Sequence, residues 1–373
     1  MKILQIVNTL SISDGGPARN AWELHQEIRK RFEHSELVSM KQLKRGGNQA
    51  LVGQPSSRIT PRSNLSKHPY FSGQSDSGGL AQIWQADVVF IHGYYLSWVP
   101  AVALLATLMG KKIVLCPHGS LTRYQSKKSA WKKMLWEFVL GWFVRARTAL
   151  FLLGSEIEKT DLENKFPKTK SVVIGVGTNF PEVKTFPNLH SPIRLLSLSR
   201  IAPKKQIELS VELVRLLNAR GIRSQLTIAG DKTGSYFEHL RAMVNDLSLN
   251  EYVEFIGPIH GDEKVSLYQD SDIFLLPSAD ENFGITVAEA AANGVPVIAS
   301  EEVASATLIA GVGCRVIRGI TAEKMFAAVK QLTENDFIHL RKTVLASARR
   351  EFGWDAVAVR FSKAIHDLTA NNG

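Results

Sequence analysis

Cysteine is nearly absent. The 373 residues hold two, Cys116 and Cys314, each inside an apolar, strand-like run, so no disulfide framework or multi-cysteine zinc site is open to the chain. A reducing cytoplasmic setting fits that scarcity. Long hydrophobic runs are missing too: no stretch approaches the roughly 20 apolar residues that span a bilayer. The opening MKILQIVNTL breaks its apolar run at Gln5 and Asn8 and lacks a small-residue cleavage site, so it reads as a buried strand and not as a signal peptide. No G-x-G-x-x-G follows that strand, which speaks against a nicotinamide-dependent oxidoreductase. No repeat with a solenoid period and no recognised nucleic-acid motif occurs. The net charge of +10 therefore calls for an acidic partner of some other kind, with a basic nucleic-acid-binding protein kept as the distant alternative.

What is present is an alternation. Short runs rich in Val, Ile and Leu (KILQIV, ADVVFIHG, KIVLCPHG, ALFLLGS, SVVIGVG) are separated by longer segments of helical period, and a second series follows (IRLLSLSR, SQLTIAG, VEFIGPI, DIFLLPS, PVIAS). Near-continuous apolar strands alternating with helices indicate parallel sheets covered on both faces. Two series predict two Rossmann-like α/β domains. The boundary is expected in Gly177 to Pro192, where three prolines interrupt all periodicity. The polar stretch from Met40 to Gly79 is expected to be a mobile loop.

Ligands in open parallel sheets bind beyond the carboxyl ends of the strands, which makes the loops there the places to search. After the first strand, Gly15 and Gly16 allow close backbone approach and Pro17 suits a helix start. In VLCPHGSL, His118 at a strand end can hydrogen-bond a hydroxyl, with Gly119 behind it. His92 and Tyr94 in FIHGYY repeat that pattern one strand earlier, and a satisfied turn histidine is the plain alternative at both places. In LSLSRIAPKKQ, Arg200 offers a fork and Lys205 a point charge to a diphosphate. In SADENFGITVAEAAANG, a helix beginning near Gly284 would leave the amides of Phe283, Gly284 and Ile285 free beside Asn282, with the carboxylates of Glu281 and Glu289 eight positions apart. Carboxylates accept well from vicinal hydroxyls.

Together these segments, DGGPARNAWEL, PHGSL, SRIAPKKQIE and ENFGITVAEAAANGVPVIAS, resemble the retaining nucleotide-sugar glycosyltransferases of family four (the group 1 type). The resemblance runs from Asp14 to about Ser300 and implies the GT-B architecture, two Rossmann-like domains whose parallel sheets face each other across a cleft. It implies an acceptor-binding domain at 1–178 and a donor-binding domain at 179–354, with the C-terminal helix at about 355–373 packing back on the first. By similarity Glu289 holds the ribose hydroxyls and Glu281 those of the donor sugar. Arg200 and Lys205 neutralise the diphosphate, Gly15 and Gly16 complete its cradle, and His118 contacts the sugar. Asn282, Phe283, Gly284 and Ile285 line the donor site, and His92 and Tyr94 the acceptor site.

The expected reaction moves a hexose, best matched to UDP-glucose or a similar UDP-hexose, onto a hydroxyl of a glycan or lipid-linked saccharide in exopolysaccharide, lipopolysaccharide or glycolipid synthesis, with retention and without a metal. An epimerase or phosphorylase of the same fold is the alternative. Asp270 and Asp272 form a D-x-D pattern, read here as structural because lysine and arginine already supply positive charge. Between Lys111 and Arg147 nine basic residues face one acid, Glu137. There Trp131, Met134, Leu135, Phe138, Val139 and Trp142 recur at helical spacing beside Lys128, Lys132 and Lys133. That stripe either packs on the first sheet or, with the lysines, contacts the inner face of an anionic cell membrane; both uses can coexist.

Overall fold

The computed structural model of the chain describes all residues except 10–15, 33, 41–78, 124, 126–128, 312 and 371–373. The segment expected as a mobile loop, Met40 to Gly79, thus lies outside the described residues except at its ends. Two compact units are present, one formed by Met1–Gly177 with Ala358–Gly373 and the other by Thr178–Val357.

The first unit carries β1 (Lys2–Val7), β2 (His34–Ser39), β3 (Val88–His92), β4 (Lys112–Cys116), β5 (Thr148–Leu153) and β6 (Ser171–Val173) in one sheet of order β2-β1-β3-β4-β5-β6. All its pairings are parallel. Val88, Val89, Phe90 and Ile91 are each 0% exposed; both faces of β3 are covered, so its sequence is a continuous apolar run and does not alternate. The helices are α1 (Gly16–Arg29), α2 (Gly79–Gln85), α3 (Val99–Leu108), α4 (Ala130–Trp136), α5 (Trp142–Arg147) and α6 (Glu156–Lys165). From Ala358 onward α14 (Trp354–Ala370) belongs to this unit as well. There Phe361 meets the rings of Phe32 and Phe90 at 6.2 and 5.9 Å, and Arg360 Nε donates to the Ile174 carbonyl at 2.8 Å.

The second unit carries β7 (Ile193–Leu198), β8 (Ser224–Ala229), β9 (Val253–Ile256), β10 (Ile273–Leu276), β11 (Val297–Ser300) and β12 (Cys314–Ile317) in the order β12-β11-β10-β7-β8-β9, again all parallel. Its helices are α7 (Ile207–Ala219), α8 (Ser235–Asp246), α9 (Gly261–Gln269), α10 (Ile285–Ala292), α11 (Ala304–Leu308), α12 (Ala322–Thr333) and α13 (Phe337–Phe352). Each sheet winds outward in both directions from one strand. The order reverses between β1 and β3 in the first and between β7 and β10 in the second, and such a reversal opens a crevice at the carboxyl ends of the two strands.

Candidate active site

In the second unit the two loops at the reversal are stitched together. The loop after β7 closes with a 3-10 turn, Pro203–Lys205, and the loop after β10 runs to Gly284. Ala279 N donates to the Lys204 carbonyl at 2.8 Å, Lys204 Nζ meets Asp280 Oδ2 at 3.0 Å, and Lys205 Nζ is hydrogen-bonded to Glu281 Oε2. A lysine doublet on one loop thus faces an Asp-Glu doublet on the other. The Lys205 and Glu281 side chains are only 8% and 18% exposed, so each charge depends on the other for compensation. Arg200 on the same loop is exposed.

Gly284 caps α10 with φ +85°, in the left-handed region, and a Cβ there would lie 2.5 Å from Val303 Cγ1. Glycine is therefore required twice over, by conformation and by space. Ser305 fixes this turn: its amide donates to the Phe283 carbonyl at 2.8 Å and its hydroxyl to the Gly284 carbonyl at 2.8 Å. In the first turn of α10 Val287 N donates to the Gly284 carbonyl at 2.9 Å, while the amides of Ile285 and Thr286 have no acceptor within the helix. Phe283 itself is buried against Phe352, so the chain at this point offers backbone and not a side chain. Glu289 lies in the second turn, buried, taking hydrogen bonds from Lys264 Nζ at 2.6 Å and Tyr268 OH at 3.1 Å. Lys264 and Tyr268, one turn apart on α9, carry no sequence signal that ties them to α10. Lys205 and Glu281 were legible as candidates, but Lys204, Asp280 and the pairing of the two loops were not.

Asp272 of the D-x-D pattern is fully buried and accepts from Arg194 N at 2.8 Å and the His190 ring at 2.9 Å. Asp270 is the exposed C-cap of α9.

In the first unit Gly16 opens α1, while Gly15 lies outside the described residues. His118 sits just beyond β4 with φ +50°, followed by Gly119 at +77°. A left-handed histidine is uncommon and held in place by its surroundings. The clamp is Glu158, whose carboxylate accepts from Gly119 N at 2.5 Å and Gly154 N at 2.9 Å while Ser155 caps α6. The His118 ring stacks on His92, with Nε2 to Nδ1 at 2.9 Å and centroids 5.1 Å apart. Burial lowers the His118 pKa to about 4 and that of His92 well below the usual imidazole range. Three ligand-type atoms, from His92, Cys116 and His118, lie within 4.8 Å of one another. The two rings already bond each other, however, and burial pushes the Cys116 thiol up, which disfavours the thiolate that a metal takes.

His92 and Tyr94, expected at the acceptor, differ from that expectation. His92 is 3% exposed behind His118, and Tyr94 is 0% exposed, its hydroxyl donating to Glu137 at 3.1 Å and accepting from Arg145 at 3.1 Å. Their apolar flanks carried both into the core. Glu137 is a hub that also accepts from Tyr95 at 2.8 Å and lies 3.8 Å from Lys165 Nζ. Here α4 and α5 are joined by a π-helical turn, Glu137–Gly141, and a Cβ at Gly141 would lie 2.3 Å from Glu137 Oε2. The face that carries Glu137 and Arg145 therefore points inward. Its apolar stripe points outward, with Trp131, Met134, Leu135, Phe138, Val139 and Trp142 between 53% and 82% exposed, so the packing of that stripe on the sheet does not occur. Lys133 also turns inward, over the Tyr95 ring and onto the Gln125 carbonyl. Lys132 stays exposed, and Lys128 lies outside the described residues. Among the described residues no helix is long and apolar enough to cross a membrane.

Two family descriptions match the chain, Glycosyltransferase Family 4 over residues 14–180 and Glycosyl transferases group 1 over residues 179–349. The chain belongs to the group 1, family 4 glycosyltransferases. Relatives within that family include the amylovoran biosynthesis glycosyltransferase AmsK of Erwinia amylovora, 27% identical over 58% of this chain and 53% of its own. A D-inositol 3-phosphate glycosyltransferase of Kineococcus radiotolerans is 30% identical over 48% of this chain and 46% of its own. The chain thus spans about half the length of these curated relatives. The fold is the GT-B type of the family. Anabaena HepE, solved in complex with UDP and glucose, superposes with TM-score 0.69 at 14% identity, covering 98% of this chain and 100% of that one. The sucrose-phosphate synthase of Thermosynechococcus elongatus gives 0.68 at 16%, covering 100% of each chain.

Proposed function

We propose that the protein is a retaining, metal-independent glycosyltransferase that moves a hexose from a UDP-sugar, UDP-glucose being the first choice, to a hydroxyl of a glycan or lipid-linked saccharide. The observation that carries this reading is the pair of stitched loops at the β7/β10 reversal, where Lys204 and Lys205 stand against Asp280 and Glu281, with Arg200 exposed on the lysine loop. Cations suit a diphosphate, and carboxylates suit the hydroxyls of sugar and ribose. The UDP and glucose in HepE and the polysaccharide-building relatives support the donor and the pathway class.

In the proposed reaction the acceptor oxygen bonds to the anomeric carbon on the face that the nucleotide leaves. The bond from that carbon to the diphosphate oxygen breaks, and the hydroxyl proton passes to the departing diphosphate. Arg200 and Lys205 stabilise the charge developing there, Glu281 and His118 orient the sugar, and Glu289 holds the ribose. Because Lys205 is bonded to Glu281, donor binding exchanges partners: the phosphate takes the lysine and the sugar takes the acid. The outward stripe of α4 and α5, with Lys132 and Arg147 beside it, serves in this reading to rest the protein on the anionic inner face of the membrane where a lipid-linked acceptor lies.

A thermal-shift panel of UDP, GDP and ADP with their sugars tests the donor, since a ligand at 100 times its dissociation constant adds about 2.7 kcal/mol. UDP-hexoses should raise the melting temperature with or without a chelator. A flat response across the panel overturns the reading.

A further inference from the structure

β1 starts with the exposed Lys2 and buries one polar side chain, Gln5, which is 0% exposed and stands at the centre of a line of rings. Its Oε1 lies 3.1 Å from His92 Nε2 and its Nε2 lies 3.0 Å from His25 Nδ1, while His92 Nδ1 meets His118 Nε2 at 2.9 Å. His25 Nδ1 is also 3.4 Å from Ser35 Oγ, and His118 Nδ1 is 3.7 Å from Cys116 Sγ. Burial keeps the rings neutral, with the His25 pKa lowered to about 3 and that of His118 to about 4. A neutral imidazole has one N–H and one lone pair, so each contact dictates the next. The Gln5 carbonyl can only accept, so His92 carries its proton on Nε2 and its Nδ1 is an acceptor. His118 must then donate from Nε2, which leaves its Nδ1 as a lone pair. At the other end the Gln5 amide donates to His25 Nδ1, whose proton is therefore on Nε2.

We propose that Gln5 is a positioning residue which, through His92, fixes His118 as the Nε2–H tautomer, so that Nδ1 is a lone pair for which a sugar hydroxyl competes with the weak thiol donor of Cys116 3.7 Å away. The hydroxyl contact rests on the reading of His118 given above; the tautomer relay does not. Reversing the Gln5 carboxamide would move every proton along the line, so one side chain two contacts away decides whether His118 accepts or donates.

The test is ring-nitrogen NMR on the full-length protein labelled with 15N-histidine, the signals being assigned by single His→Asn substitutions. His25, His92 and His118 should share one tautomer, with Nε2 protonated and Nδ1 bare. In Gln5→Met, which keeps the volume and removes both polar ends, the His92 and His118 signals should become those of a tautomer mixture. Turnover of UDP-glucose should fall about tenfold, the scale of one misdirected hydrogen bond, with a smaller change in KM. A protonated Nδ1 on His118 in the parent protein, or His92 and His118 signals unchanged in Gln5→Met, overturns the relay; the parent spectrum decides alone if the variant does not fold. Tautomers as expected, with a His118 signal indifferent to saturating UDP-glucose, leave the relay standing and overturn the sugar contact instead.

Discussion

Both units are parallel sheets whose strand order reverses once, between β1 and β3 in the first and between β7 and β10 in the second, and both place polar groups at that reversal, yet they solve the burial problem in opposite ways. At the β7/β10 reversal the groups are ions, compensated pairwise as Lys204–Asp280, Lys205–Glu281 and Lys264–Glu289. At the β1/β3 reversal they are neutral rings and an amide, joined by hydrogen bonds along one line that leaves His25 Nε2 buried without a partner among the described residues. Paired ions can be exchanged for the ions of a ligand, which suits a diphosphate. A neutral line holds a fixed direction of donors and acceptors, which suits hydroxyls.

Acid should break the comparison most visibly. The folded pKa values of His25 and His118 lie near 3 and 4 against 6.5 in an unfolded chain. Below about pH 6.5 the unfolded state therefore binds more protons, and each of these rings withdraws about 1.4 kcal/mol of stability per pH unit until its folded pKa is reached. The raised Glu158 carboxyl works in the opposite sense, since the folded state takes up its proton first. Melting curves of the full chain should thus fall steeply from pH 6.5 towards 5, and His25→Phe should flatten that slope. A slope equal in parent and variant would show that the line is not what titrates.

Next in size is the charged side. Lys205→Ala should lower kcat by about 10² or more, the loss of one preorganised stabiliser of leaving-group charge. Lys205 and Glu281 should be non-additive by about 1–3 kcal/mol in a double-mutant cycle, because each single change strands a buried partner. Additive losses would mean that the pair is not functional as a unit.

The surface segment gives a smaller effect. Phe138→Gln or Trp131→Gln should weaken association with anionic vesicles by about 1.5–3 kcal/mol each, the value of an apolar side chain, and Lys132→Glu by about 1 kcal/mol. Lys133→Glu should instead unfold the segment, since that ammonium lies over Tyr95. Sedimentation with liposomes separates these outcomes.

Much of this was legible in the sequence and some was not, for physical reasons. Ten of the twelve strands among the described residues stood out as apolar runs. The two that did not, β2 and β12, are edges of their sheets; HSELVS is exposed at His34 and Glu36 and so lacks a continuous apolar run. The helix start at Gly284 and the acids around it were readable because a glycine forced into the left-handed region leaves a punctuation mark. The spacing of Trp131 to Trp142 announced an amphipathic helix but not which face turns inward, because that depends on Glu137 meeting Tyr94 and Tyr95 from another element. Gln5 was visible only as an interruption of a strand; its partners come from β3 and α1, at separations that no local pattern encodes.

The assignment of ligand atoms to acids is tested most directly by calorimetry of free UDP and of UDP-glucose on the parent protein, Glu281→Ala and Glu289→Ala. Glu289→Ala should weaken both ligands alike, since it removes a contact to the ribose that they share. Glu281→Ala should weaken only the sugar nucleotide and leave UDP bound at least as tightly, because Lys205 is then free for the phosphate. Equal loss of UDP affinity in the two variants would contradict the division of the site into a ribose acid and a sugar acid.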